Sequence, residues 1–267
     1  MSAIAAAPVL IGIGVLAGIV STVASLASVV SYPALLALGL SPVSANVTNT
    51  VALMFTGIGA AAGSRQELAG QGHRARTLGL LTATGGGAGA ALLLLTPPRG
   101  FEYAAPVLIA LGSLLLLRRG GPQAERRTED ETGDQVGSAH AVAAGAGSHG
   151  GWLSRAALFG VAIYIGYFGA AGGIIMLAVM VRMYVQPLAK TNALKNVIAA
   201  LANAVAGIGF AIFGPVRWSA ALPLAAGFLI GGWIGPAIVR RLPAGGLRIF
   251  IGVCGLAVAA RLALNTY

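Results

Sequence analysis

Apolar runs close to twenty residues long recur along this chain, and they leave it few ways to fold. Val43–Gly63, Leu78–Leu95, Tyr103–Leu117 and Ser219–Val239 are examples. A helix needs about 20 predominantly apolar residues to cross the hydrocarbon core of a bilayer. Lipid offers no partner to backbone N–H and C=O groups, so only helices and closed barrels span it. Barrel strands alternate polar and apolar residues over short stretches. These runs do not alternate, and helices remain. Of the 267 residues 57% are hydrophobic and 9% charged, against about 25% charged in soluble domains. The expected fold class is all-α, a polytopic transmembrane helical bundle.

The formal net charge is +10, from 17 Lys+Arg against 7 Asp+Glu. On a soluble protein that balance would point to nucleic acid. Here the basic residues fall in short loops between apolar runs, as in loops that face the cytoplasm, and no nucleic-acid partner is expected. Cys254, the single cysteine, has no intrachain disulfide partner, and no Cys/His cluster has metal-ligand spacing. Neither a metal nor a cofactor is expected. Met1–Pro8 lacks the basic residues that open a signal peptide, so the first apolar segment reads as a retained helix.

Ten apolar segments lie near residues 8–22, 24–40, 43–63, 77–96, 102–117, 153–168, 171–186, 190–213, 218–239 and 246–264. The first pair and the sixth and seventh are short for full spans. Arg118–Gly151 stands apart, with a charged run at Glu125–Glu131 followed by a Gly/Ala/Ser/His tract. It has too little apolar surface to offset the entropy of ordering and reads as a disordered cytoplasmic linker, with His140 and His149 as solvated residues in it. Residues 1–117 and 152–267 then form two transmembrane repeats.

The repeats resemble each other. Ala24–Val30 lies on Gly169–Ile175, Ser41-Pro42 on Gln186-Pro187, and Ala45–Val51 on Thr191–Val197 after a one-residue gap. Basic clusters follow the third segment (Arg65, Arg74, Arg76), the fifth (Arg118, Arg119, Arg126, Arg127, Arg155) and the ninth (Arg240, Arg241, Arg248). Placing all three in the cytoplasm satisfies the positive-inside rule. By segment count both termini then lie outside and the repeats are inverted, a plan in which solute binds near the midplane at the repeat interface. If each short pair were one long span, the chain would have eight full spans and parallel repeats.

The eighth segment carries the most information. Asn192, Asn196 and Asn203 fall within about 40° on a helical wheel, with Lys195 about 60° to one side. The matching helix of the first half presents Asn46, Asn49 and Thr50, with Gly57 opposite Asn203 in the alignment. Such side chains are costly toward lipid. Two uses fit them: a solute path, or interhelical hydrogen bonding and snorkelling toward the cytoplasmic interface. The break at Gly169–Gly173, and its counterpart Ala24–Ser28, would start a half-helix inside the membrane. Its free N–H groups and positive dipole end favour an anion; the competing use is a small-residue packing seam. Gly14/Gly18 and Gly227/Gly231/Gly235 read as packing seams. All seven acidic residues fall in loops or at segment edges, so a buried carboxylate relay for protons or sodium is not expected.

Those residues resemble the TauE/SafE sulfite-exporter family, also called the four-toluene-sulfonate-uptake-permease group. Members look like two similar halves, each with a Gly-rich hairpin, a Pro-containing turn and a helix opening on an Ala-x-x-Thr/Asn-type pattern. Tyr167–Gly173 with Thr191–Asn196 carries the likeness in the second half, and Gly39–Pro42 with Ala45–Asn49 in the first. The first half departs at Ala24–Ser28, where Ser25 and Ser28 offer hydroxyls in place of glycines. The resemblance covers nearly the whole chain outside 118–151. It implies a multi-pass plasma-membrane exporter of a small sulfur-containing anion, with no enzymatic activity. Expected along the solute path are Ser25, Ser28, Asn46, Asn49, Thr50, Gly169, Gly172, Gly173, Asn192, Lys195, Asn196 and Asn203. Transport of another ion or neutral solute, a non-transporting assembly subunit, and pairing of two copies into a homodimer stay open as alternatives.

Overall fold

A computed structural model describes residues 3–24, 27–101, 150–169 and 172–239, with isolated positions 103, 107, 110 and 260. Nine helices follow in order among them: α1 (Ala3–Ala24), α2 (Ala27–Ala37), α3 (Pro42–Gly63), α4 (Arg65–Leu68), α5 (Gly72–Leu95), α6 (Gly150–Tyr167), α7 (Gly172–Met183), α8 (Leu188–Phe213) and α9 (Trp218–Val239). The described residues contain no strand. The chain is a helical membrane bundle. Gly72–Leu95, Leu188–Phe213 and Trp218–Ala237 are by length and composition long and apolar enough to cross a bilayer. At 11 and 12 residues, α2 and α7 are about half that length.

The short segments differ from the sequence expectation in a definite way. α1 has 22 residues and α6 has 18, so one member of each hairpin is long and only its partner is short. α5 begins at Gly72, so His73, Arg74 and Arg76 stand in its first turns and not in a loop. Segments 102–117 and 246–264 and the linker 118–151 lie almost wholly outside the described residues. Local signals explain the α2–α3 corner. Gly39 takes φ 86°, and Leu40 N–H and Gly39 N–H donate to Leu35 O and Leu36 O, a glycine C-cap. Ser41 then caps α3 by accepting from Ser44 N–H, with Pro42 at the first helical position.

Close glycine contacts give the direction of each helix. Gly14 packs on Gly227, Gly18 on Gly231 and Thr22 on Gly235, so α1 and α9 run parallel. Thr56 meets Gly232, and Gly63 meets Trp233 and Pro236, so α3 is parallel to α9 as well. In the other half, Gly85 packs on Ala162 and Gly89 on Ile163 and Tyr167, so α5 is parallel to α6. The Thr82 hydroxyl donates to Ile198 O at 2.7 Å, while Gly86 meets Ala202 and Gly209 meets Ala90, so α5 is parallel to α8. Between α3 and α8 the order reverses, for Gly57 meets Ala200, Val51 meets Gly207 and Val47 meets Gly214.

The sequence alignment makes α3 and α8 equivalents, and they are antiparallel. The two halves are therefore inverted. They are also interlocked: α9 packs on α1 and α3 of the first half, while α5 packs on α6 and α8 of the second. The same directions sort the charges. Arg65, Arg74, Arg76, Arg155, Arg182 and Lys190 gather at one end of the bundle, with Arg99 and Arg217 at the other.

Candidate functional site

Where α3 crosses α8 the bundle holds a cavity of about 60 Å³. A water needs about 10–15 Å³ of such space, so the cavity fits a few waters or one compact solute. Thr56, Gly57 and Ala60 of α3 face Lys195, Asn196, Ala199, Ala200 and Asn203 of α8 across it. Ser21 and Thr22 at the end of α1, Ala27 and Ser28 at the start of α2, and Gly169 and Gly173 around the start of α7 add to the wall, with Leu53 and Ile165 as its larger apolar members. Gly57 allows the crossing, because a Cβ there would overlap the Ala200 methyl group. The N-termini of α2 and α7 both reach the cavity. The first N–H groups of a helix have no intrahelical acceptor, and the dipole places positive charge there.

Lys195 is the charged side chain among the lining residues, and it is 1% exposed. An ammonium at this depth needs anionic or polar company to offset desolvation. Asn196 and Asn203 lie on the same wall, and the Asn203 amide donates to Ala199 O at 3.1 Å. Asn192, one turn back, does not line the cavity; its amide donates to Thr22 O of α1. Gly173 lines the space, Gly169 ends α6 at φ 75°, and Gly172 packs against Ile165 and Tyr164. Ser25 lies outside the described residues.

The first half uses its polar residues differently. Asn49 Nδ2 donates to Ser28 Oγ at 3.1 Å, and the Ser31 hydroxyl donates to Asn49 Oδ1 at 2.6 Å. Asn46 Nδ2 donates to Tyr167 O, and the Thr50 hydroxyl to Asn46 O. These bonds hold α2, α3 and the end of α6 together, and Asn46, Asn49 and Thr50 do not line the cavity. The repeat alignment puts Lys195 in the place of Asn49, Gly173 in that of Ser28 and Met176 in that of Ser31. Lys195 thus stands where the first half has an amide, and Gly173 and Met176 stand where it has two hydroxyls. Asn49→Ala should remove the link between α2 and α3, leaving Ser28 without this donor and Ser31 with Ala27 O alone, at a cost of about 1–3 kcal/mol. A lower midpoint in thermal unfolding, with solute binding retained, would check that.

Thr56, Ser21 and Thr22 went unremarked in the sequence. Ser21 and Thr22 form a lone pair, and Thr56 a lone hydroxyl, in apolar runs, and such hydroxyls in membrane helices are common packing residues. What could have flagged Thr56 is its place one residue before Gly57, the alignment partner of Asn203.

At the basic end of the bundle a polar cluster joins the halves. Gln71 Nε2 donates to Glu67 O and to Lys190 O, and Gln186 Nε2 to Gln71 Oε1. Arg74 donates to Gln186 Oε1 while its guanidinium lies 4.6 Å from the centre of the Tyr184 ring. At the opposite end the Ser44 hydroxyl donates to Pro215 O, and Arg217 N–H to Thr48 Oγ1. The repeat operation relates the two closures, since the α7–α8 and α2–α3 corners are equivalent.

An inverted, interlocked helical bundle with a buried lysine in a small cavity between its halves matches the sequence likeness to a transporter family. The family profile described as sulfite exporter TauE/SafE matches residues 10–262. The chain belongs to the TauE/SafE sulfite exporter family. No curated protein and no solved structure matches the chain. TauE/SafE proteins are membrane transporters and not enzymes, so this chain is an integral membrane protein of a transporter family, with a small anionic solute and lipid as its partners.

Proposed function

We propose that this TauE/SafE protein exports sulfite, or another small sulfur-containing anion, across the plasma membrane through the cavity at the α3–α8 crossing. The observation that carries the reading is the burial of Lys195 in the cavity wall. A lysine buried within a membrane bundle marks a solute or ion pathway, and its positive charge suits an anion. Asn196 and Asn203 supply amides beside it, and the N-termini of α2 and α7 supply backbone N–H groups and dipole potential. Ser28, Gly169, Gly172 and Gly173 shape those two N-termini. Asn46, Asn49, Thr50 and Asn192 hold the helices that frame the path. No carboxylate lines the cavity among the described residues, which suits an anion and poorly suits a metal cation.

With the basic end in the cytoplasm, Lys195 stands on the cytoplasmic side of the crossing. An inside-negative potential contributes about 2.3 kcal/mol per charge per 100 mV toward anion exit. The two end closures serve as alternating gates: solute enters when the Gln71–Gln186–Arg74 cluster opens and leaves when the Ser44–Pro215 contact opens. Purified protein in proteoliposomes with an imposed potential, loaded in turn with labelled sulfite, thiosulfate and small sulfonates, tests this. Potential-driven flux of at least one of these anions is expected. Equal flux from protein-free vesicles would refute the reading.

A further inference from the structure

Thr56 stands out among the buried threonines of the bundle. A threonine inside a helix ordinarily bonds a carbonyl three or four residues back. Thr22 does so to Ile19 O, Thr50 to Asn46 O and Thr82 to Gly79 O. Thr56 is 6% exposed, it lines the cavity, and its Oγ1 has no hydrogen-bond partner. A buried polar atom without a partner is uncommon and calls for an explanation.

The inverted repeat supplies an internal control. The alignment that sets Gly57 opposite Asn203 sets Thr56 opposite Ala202. The two positions make the same backbone contact: the Thr56 carbonyl packs on Gly232 of α9, and the Ala202 carbonyl packs on Gly86 of α5. Alanine suffices for that crossing in the second half. The hydroxyl of Thr56 is therefore not required by helix packing, and it is placed where α3 faces Lys195 and Asn203.

We infer that the Thr56 hydroxyl is a ligand of the transported solute, donating a hydrogen bond to an oxygen of a compact oxyanion held between α3 and α8. The inference rests on the proposed transport function and adds a residue and a chemistry to it. The solute must carry an acceptor oxygen, because a hydroxyl gives nothing to a solute without one. Lys195 supplies charge from one wall, and Thr56 supplies direction from the other. A sulfite or sulfonate group has oxygens enough for both.

The test compares wild type, Thr56→Val and Thr56→Ser in proteoliposomes, with sulfite and methanesulfonate as the transported probes. Valine keeps the shape and removes the hydroxyl; serine keeps the hydroxyl and removes the methyl group. A hydrogen bond to a charged group is worth about ten- to a hundredfold in affinity. Thr56→Val should raise KM about tenfold or more for both anions, with a smaller change in the maximal rate. Thr56→Ser should stay within about threefold of wild type. The thermal midpoint of Thr56→Val in detergent should equal or exceed that of wild type, since no internal hydrogen bond is lost. If Thr56→Val gives no folded protein, Thr56→Ala removes the same hydroxyl and is read in the same assay. An unchanged KM in Thr56→Val, or equal impairment of the Ser and Val variants, overturns the inference while leaving anion transport in place. Wild-type protein that moves neither anion overturns the transport reading itself, and this inference with it.

Discussion

Gly227→Leu is expected to cut the yield of folded protein about tenfold or more. The reason lies in how α9 meets α1. A Cβ on Gly227 would stand 2.8 Å from Gly14 Cα and 2.9 Å from Gly14 C, and closer still to Ile11 O. All three are backbone atoms, so no flexible side chain can swing aside. Inserting volume into a packed seam costs about 1–3 kcal/mol even when neighbours adjust, and here the whole of α9 would have to move. That helix also packs on α3, so the crossing that frames the cavity would shift with it. Gly160→Ala is the matched control. Gly160 lies on the exposed side of α6 with nothing near its missing Cβ. Alanine there removes a helix-interior glycine, worth about 0.5–1 kcal/mol, and should leave the thermal midpoint unchanged or raise it. Size-exclusion chromatography of both variants in detergent separates them. Equal monodisperse yields would mean that α1 and α9 do not meet through Gly14 and Gly227.

Much of this fold was legible because lipid removes alternatives. Twenty apolar residues without alternation can only be a helix, and the small residues at Gly14, Gly18, Gly227 and Gly231 do form the seam that their spacing suggests. The inversion of the repeats was legible from charge parity, and the antiparallel pairing of α3 with α8 now carries it by contact. The interlock was not legible. Hydrophobic periodicity states which residues leave lipid, but it does not state which helix they meet. Nothing in Gly85 or Gly89 says that their partners are Ala162 and Ile163, in the other half of the chain.

The site divides along the same line. The polar stripe on α8 showed that Lys195, Asn196 and Asn203 share a face, and all three line the cavity. Asn192 shares that face yet meets α1, because the stripe is longer than the cavity. On α3, Asn46, Asn49 and Thr50 looked like the mirror image of the α8 stripe. Their bonds to Tyr167, Ser28, Ser31 and their own helix turn them to cohesion instead. That difference depends on two serines of α2 whose counterparts are Gly173 and Met176, a detail visible only once α2 is seated against α3.

Lys195→Met carries the largest expected effect on transport. Methionine keeps an unbranched side chain of similar length and removes the ammonium. Lys195 is buried, so a structural role and a transport role predict opposite outcomes for stability. If the ammonium held the bundle together, its loss would leave partners unsatisfied and lower the thermal midpoint. If it serves a visiting anion, the loss relieves the desolvation of a buried charge, and the midpoint should hold or rise. Transport should fall about ten- to a hundredfold, the value of a contact between a charged donor and its anion. Lys195→Arg, larger and geometrically different, should recover part of the flux.

Potential-driven efflux of labelled sulfite from proteoliposomes, wild type against Lys195→Met at matched reconstitution, bears on the cavity most directly. The expected result is efflux in the wild type that grows with the imposed potential and falls about tenfold or more in the variant, with the thermal midpoint retained. Undiminished sulfite efflux in Lys195→Met would contradict it, and would remove the buried ammonium from the path of the solute.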